Sequence, residues 1–441
     1  MSGRKHAIVV GGGIGGIAAA VRLTDLGWRV TLLEATRRLG GRATSHIDPE
    51  TGEEIDNCQH VTMGACAAYE RLLERLGVAD AIAWSGTQTW LRAGCAPSRL
   101  EAGALPAPLH YAGAFARARF LSGLDKAAIG GAMAAIARAD RKAWRGRTFG
   151  EFLLEHAQPE TAVRRFWSPV VVSACNLDVE RVSAGAALMV FQEGLLAGAQ
   201  AARIGVPRVA LGRLWEGVGG VLAPVGGAVR FGARVRGVDM VGGAGGGARG
   251  VVARLGDGLE MVADAVVVAL PPARVGEVLP VRLRGLLRFE AALEHSPILG
   301  VHLRCDRPVL SSAHAVLVER GTQWLFRKDA PGRSVHAVIS AADAWMDLSE
   351  QQIVERVWAD VAACVPGVGD ARVVWARAIK QRHATFAATP AFEGVRPEAG
   401  LIEAGVPIAL AGDYTRTGWP ATMEGATRSG VKAAEAVARL A

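Results

Sequence analysis

The chain has 441 residues, enough for two or three structural units. Half of the residues are hydrophobic and 21% are charged, which excludes a disordered, charge-rich chain. The net charge of +8 is scattered, with no basic tail, recognition helix, paired-cysteine zinc pattern or ribonucleoprotein motif, so the sequence argues against nucleic acid as a partner.

The first element in the chain is a short β-branched strand, Ala7 to Val10, running into Gly11-Gly-Gly-Ile-Gly-Gly16 and an Ala-rich helix towards Leu26 that Gly27 ends. Gly11, Gly13 and Gly16 give G-x-G-x-x-G: the first glycine permits a tight turn, the second admits a pyrophosphate to the backbone, and the third allows close helix packing. Arg29 to Leu33 form the next strand, with Glu34 at its end about 20 residues after the first glycine, where a ribose-binding carboxylate belongs. This βαβ unit is half of a doubly wound sheet. Arg37-Arg-Leu-Gly-Gly-Arg-Ala43 follows directly, and it favours FAD over NAD: its glycines bring the chain close to a diphosphate that Arg42 can neutralise.

From about Gln88 to Arg213 helical signals replace strand signals. Thr148 and Glu151 have capping-box spacing, and Pro159 stands where a first helical residue would, ahead of an apolar face of Ala162, Val163, Phe166 and Trp167. A stripe of Phe115, Phe120, Leu121 and Leu124, interleaved with Arg117, Arg119 and Lys126, reads either as an interfacial amphipathic helix or as ordinary packing. Strands return at Ala228 to Phe231, Val235 to Val241, Gly250 to Arg254 and Ala265 to Ala269, with residues 242–247 as a hairpin tip, and the nucleotide domain resumes with them. A second mixed section spans Leu286 to Pro397. Strand Ile408 to Ala411 then leads to Gly412 and Asp413, and Thr422 to Ala426 opens the last helix, a helix from Gly425 whose positive N-terminal end suits the negative charge of a reduced flavin. The cofactor domain is therefore expected in three pieces, 1–87, 214–285 and 398–441, and the substrate domain in two, 88–213 and 286–397.

Together these motifs resemble the amine oxidase and phytoene desaturase flavoprotein superfamily. Within it the likeness is to squalene-associated flavoenzymes of hopanoid synthesis, carried by Asp56-Asn-Cys-Gln-His60 with Met63-Gly64, Arg165 to Pro169 with Asn176, His383-Ala-Thr385 with Pro390, and Leu410 to Ala426. Cys58 stands where that pattern has glycine. The resemblance implies an α/β fold, a Rossmann-like FAD-binding domain with an inserted mixed α+β substrate domain. It implies an FAD site of Gly11, Gly13, Gly16, Glu34, Ala35, Gly41, Arg42, Val235, Gly412, Asp413, Ala421, Thr422 and Met423, with Tyr414 and Trp419 as site walls. The activity it implies is reductive dehydroxylation, in which an allylic hydroxyl leaves hydroxysqualene and hydride replaces it to give squalene. His60, Asp56 and Glu193 are the candidate catalytic residues, with His60 as proton donor. No metal is expected, and the electron donor is unnamed by the residues.

Three rivals stay open: a desaturase acting on a long prenyl chain, a flavin amine oxidase, and a non-catalytic flavin or lipid carrier. Thr422 replaces the aromatic residue that flanks the flavin of amine oxidases, which counts against the second. The six cysteines contain no C-x-x-C pair and follow no secretory signal, so they read as free cytosolic thiols. No apolar run reaches the roughly 20 residues of a spanning helix. The expected location is cytoplasmic, peripheral on an anionic inner membrane surface.

Overall fold

The computed structural model describes residues 4–242 and 248–440. Most of the expected hairpin tip, residues 243–247, lies outside the described residues.

A six-stranded sheet runs in the order Ala228–Phe231, Arg29–Glu34, His6–Val10, Ala265–Val268, Ile408–Leu410, Gly400–Leu401. Its pairs are parallel except the last. Ile8, Val9, Val266, Val267 and Val268 are fully buried, as a parallel sheet covered on both faces requires of its central strands. Helix Ile14–Asp25 packs against the closing helix Met423–Leu440 on one face, and a Cβ at Gly430 would overlap the Gly15 carbonyl. The other two expected strands of the middle section do not join this sheet: Val235–Gly242 and Ala248–Leu255 pair with each other and, with the unexpected strand Glu260–Ala263, form a small antiparallel sheet.

A seven-stranded sheet forms the second body, ordered Val373–Phe386, His295–Cys305, Ser334–Ser340, Trp324–Arg327, His314–Leu317, Gln88–Leu91, Ser98–Leu100. Helix Glu350–Cys364 closes one face, packing Ile353, Val357 and Val361 on Leu299, Val301, Ala337 and Ile339. The pleat sends alternate residues to the opposite face. There His302, His336, Phe326 and His314 lie side by side across four strands, and Gly300, Val338, Trp324, Val316 and Trp90 make the next row. Strands Thr62–Met63, Ile204–Pro207 and Ile82–Ser85 form a small sheet tying the two halves together.

In the helical section the Thr148–Glu151 capping box is present in both directions. Pro159 falls one residue earlier than expected, as the N-cap of Glu160–Ala162. The chain then widens into π-helical turns at Val163–Trp167 and Val190–Leu195, which no sequence signal announced. The aromatic and basic stripe is not one amphipathic helix. Helix Ala112–Arg117 stops, and a new capping box at Ser122 starts Gly123–Ile136. Phe120 and Leu121 are buried, with Phe120 stacked on Trp90 at 4.8 Å, so packing explains them; Leu124 alone of the four stands well exposed, at 81%.

Candidate active site

The glycine turn is shaped by close contacts on one side and open space on the other. Gly11 holds φ +103°, in the left-handed region that glycine tolerates, and a Cβ at Gly16 would overlap its carbonyl. In front of Gly13 a side chain would meet no atom within 4 Å. The second glycine loop closes over this space: Gly40 donates to the Gly12 carbonyl at 2.8 Å, and Gly41, at φ +60°, approaches the Gly13 Cα. Glu34 is held beside the turn, its carboxylate accepting from the amides of Gly12 at 2.8 Å and Thr36 at 2.7 Å. Residues 232–235 run alongside, with Gly232 and Ala233 donating to the carbonyls of Thr36 and Glu34, so Ala35 and Val235 flank the same place.

Arg42 does more than face an open phosphate position. Its Nη2 lies 2.6 Å from Asp413 Oδ1 and its Nη1 donates to the Ala384 carbonyl, so it joins the second glycine loop to the C-terminal segment. Gly412 donates to Ser429 Oγ at 2.9 Å. Thr422 accepts from the Gly425 amide at 3.1 Å and caps the closing helix, which begins at Met423, two residues before the expected Gly425. Ala421, Thr422 and Met423 are half-buried. Glu424, which sequence reasoning passed over, is fully buried and accepts from the amides of Ala68 and Tyr69 at the start of helix Ala67–Arg75. Its position after Thr422, at a helix start, was the one available signal. Tyr414 is fully buried beside Phe289 and is core instead of wall, whereas Trp419 is half-buried.

These residues fit FAD. The space before Gly13 would be filled by any larger side chain, a carboxylate ends the second strand, and helices begin beside Gly13 and at Met423, where a diphosphate and an electron-rich ring gain most from the positive end of a helix.

The loop 56–60 runs between the two sheets, and the three catalytic candidates do not converge there. Asp56 is buried and spent on structure: Oδ1 accepts from Ser45 Oγ and the Leu211 amide, both at 2.8 Å, and Oδ2 faces Lys328 Nζ at 3.4 Å. A carboxylate so engaged organises the loop, which weighs against a part for it in proton transfer. Glu193 sits on the π-turn of the helical section, 44% exposed and paired with Arg141 at 2.9 Å, away from the loop 56–60. Cys58 turns into a small apolar cluster with Phe326 and Val338, and burial pushes its thiol up to about 12. The room that glycine would supply at position 58 is supplied across the interface by Gly300, where a Cβ would stand 3.4 Å from Cys58 Cα.

His60 is the candidate left at the boundary. Its Nδ1 lies 3.1 Å from the Cys58 carbonyl, which can only accept, so Nδ1 carries the hydrogen. Burial, the largest influence, lowers its pKa below the usual 6.5, and the neutral ring therefore presents Nε2 as a lone pair. This differs from the expected donor: His60 gives a proton from Nε2 only when doubly protonated. Gln59 and Lys328, missed in the sequence, support it, Lys328 Nζ donating to Gln59 Oε1 at 2.8 Å and Gln59 Nε2 to the His60 carbonyl at 3.0 Å. Val61, Val206, Ile298 and Trp324, all half-buried, pack against the Cys58, Phe326 and Val338 cluster of the same loop.

A hydroxysqualene dehydroxylase of Rhodopseudomonas palustris is 31% identical, with 98% of each chain covered. A probable zeta-carotene desaturase of Synechococcus elongatus is 25% identical over 97% of this chain and 98% of that one. Among solved structures, putrescine oxidase bound to putrescine superposes with a TM-score of 0.73 at 14% identity, covering 99% of both chains, a likeness of fold alone. The family model for flavin-containing amine oxidoreductases matches residues 14–438, and the chain belongs to that family of FAD-dependent oxidoreductases.

Proposed function

We propose that the protein reductively dehydroxylates a long prenyl alcohol of the hydroxysqualene type, yielding squalene for hopanoid or related triterpenoid synthesis. The observation that carries this reading is the imidazole of His60, held by its own backbone in the loop whose Cys58 packs on Phe326 and Val338, with half-buried Val61, Val206, Ile298 and Trp324 against that cluster. A hydroxyl leaving from an otherwise hydrocarbon chain needs a proton source and a dry surround, and the His60 ring with this apolar cluster supports both. FAD, when bound, supplies the hydride chemistry, with electrons from a donor still to be identified. The chain's own residues hold the lipid, exclude water and deliver the proton. The full-length similarity to the dehydroxylase of Rhodopseudomonas palustris supports the same substrate class.

The neutral Nε2 of His60 supports a second reading, desaturation of a prenyl chain, in which the ring accepts a proton; the desaturase relative supports it too. The two readings give opposite pH signs. An acid with a lowered pKa works better as pH falls towards that pKa, and a base works better as pH rises. The test is single-turnover mixing of dithionite-reduced protein with hydroxysqualene across pH 5 to 8. Flavin reoxidation that quickens towards acid, with squalene formed, and that slows about 100-fold or more in His60→Ala at normal FAD content, is the expected result. Absence of squalene, or a rate that climbs with pH, overturns dehydroxylation through His60.

We further propose that the protein works at an anionic membrane surface on the cytoplasmic side. Its net positive charge and the exposed Leu105, Leu109 and Leu124 support this, and among the described residues no helix is long and apolar enough to cross a membrane. Flotation with anionic but not neutral liposomes, reversed by salt, is the expected outcome; equal flotation with both removes the electrostatic part.

A further inference from the structure

The guanidinium of Arg396, 3% exposed, makes four hydrogen bonds in the interior. Nη1 donates to Glu393 Oε1 at 2.7 Å, and Nε donates to the Tyr414 carbonyl at 3.1 Å. Nη2 donates to the carbonyls of Asp413 at 2.6 Å and Trp419 at 2.7 Å. The ring of Phe386 lies 4.8 Å away beneath the planar group. Three backbone carbonyls of one seven-residue turn therefore converge on a single side chain, and that turn has no regular secondary structure to satisfy them. Arg416, inside the turn, returns the contact by donating to the carbonyls of Glu393 and Arg396, both at 3.0 Å.

Both ends of the turn lead to the cofactor site. Asp413, at one end, meets Arg42 of the second glycine loop. Trp419, at the other, is followed by Pro420, whose carbonyl accepts from the hydroxyl of Thr422, the cap of the closing helix. Arg396 belongs to neither, since it follows helix Pro390–Val395 at the end of the section assigned by sequence to the substrate side.

We propose that Arg396 is a positioning residue for FAD, which holds the Asp413–Trp419 turn in its receiving shape before the cofactor arrives. This rests on the flavin site alone and is independent of the dehydroxylation reading. A planar fork with several fixed donors is needed to gather carbonyls from different directions; an ammonium on a flexible stem restores the charge beside Glu393 but not the geometry.

The experiment compares Arg396→Lys with Glu393→Gln, in which the arginine keeps its carbonyl partners. FAD dissociation constants, the visible circular dichroism of bound flavin and the melting temperature of the apoprotein are measured for each. Arg396→Lys is expected to weaken FAD binding about tenfold or more and to change the flavin dichroism, with an apoprotein that melts close to wild type. Glu393→Gln is expected to bind FAD nearly as wild type does. An Arg396→Lys protein with unchanged affinity and dichroism overturns the proposal. Should that variant fail to fold, amide hydrogen exchange of the wild-type chain decides: equal protection of residues 414–419 in apoprotein and holoprotein supports a preformed turn, and protection gained only with FAD overturns it.

Discussion

The two faces of the seven-stranded sheet are made by the same strands and differ in every chemical respect. Leu299, fully buried, points to helix Glu350–Cys364 in an aliphatic core of Val301, Leu303, Ala337 and Ile339. Its neighbour Ile298, half-buried, points the other way, to the loop that carries His60. On that second face stand His302, His336 and His314, with Trp324 and Trp90. A period of two lets one strand act as scaffold on odd positions and as site on even ones. The loop 56–60 pairs one of these rings: His302 Nε2 donates to the Asp56 carbonyl at 2.9 Å and the ring stacks on His336 at 3.8 Å, while the ring nitrogens of His336 and His314 have no hydrogen-bond partner among the described residues.

The contrast can be broken most sharply at Leu299. Leu299→Ala should cost about 2–5 kcal/mol of stability by leaving a cavity on the closed face, measured by urea denaturation of the apoprotein. A loss below about 1 kcal/mol denies that face its scaffold role. The second largest effect lies in the buried histidines. Burial lowers His314 from 6.5 to about 4, and neither of its ring nitrogens has a partner among the described residues. The unfolded chain takes up a proton as pH falls through 6.5 while the folded one refuses it until about 4. Stability is therefore full above 6.5 and lost on acidification across that window, by up to about 3 kcal/mol. His314→Leu should flatten the melting temperature over the same range, and an unchanged slope assigns the acid sensitivity elsewhere.

Flavin loading should respond to neither face. Arg42→Ala removes the link between the second glycine loop and Asp413. It should lower FAD affinity by about 1.5–3 kcal/mol, giving largely apoprotein after dialysis, while full occupancy leaves Arg42 without a cofactor role. The smallest effect sharpens the comparison within one strand. Ile298→Ala should cost under about 1.5 kcal/mol of stability yet raise the KM for a long prenyl substrate several-fold; a stability loss equal to that of Leu299→Ala would make the two faces alike.

What the sequence disclosed was local. Gly11 and Gly16 were legible because a positive φ and a backbone overlap each demand glycine within a few residues of chain. The strand at Ala228–Phe231 and the Thr148–Glu151 box were legible because a glycine-bounded strand or a cap is complete within a few residues. Glu193 misled because its partner Arg141 is set by the packing of two helical segments. Asp56 misled in the same way: Ser45, Leu211 and Lys328 are brought to it from three parts of the chain. The lone-pair state of His60 depends on a backbone carbonyl two residues away and on burial, neither of which residue identity encodes. Phe120 and Leu121 carried the right spacing for an amphipathic face, yet the break before Ser122 redirects them inward.

The order of strands in the six-stranded sheet also has a consequence for biosynthesis. Of the strands in this sheet the earliest in the chain, His6–Val10, is flanked on one side by Ala265–Val268, and that strand in turn by Ile408–Leu410. Non-local pairings of this span close slowly, and a nascent chain is extended from its N-terminus. The glycine turn therefore emerges hundreds of residues before Asp413 and the closing helix that complete its pocket. In this topology the pocket is complete only once the closing helix has been made, and a chain stalled before Ile408 leaves the Ala265–Val268 edge unpaired.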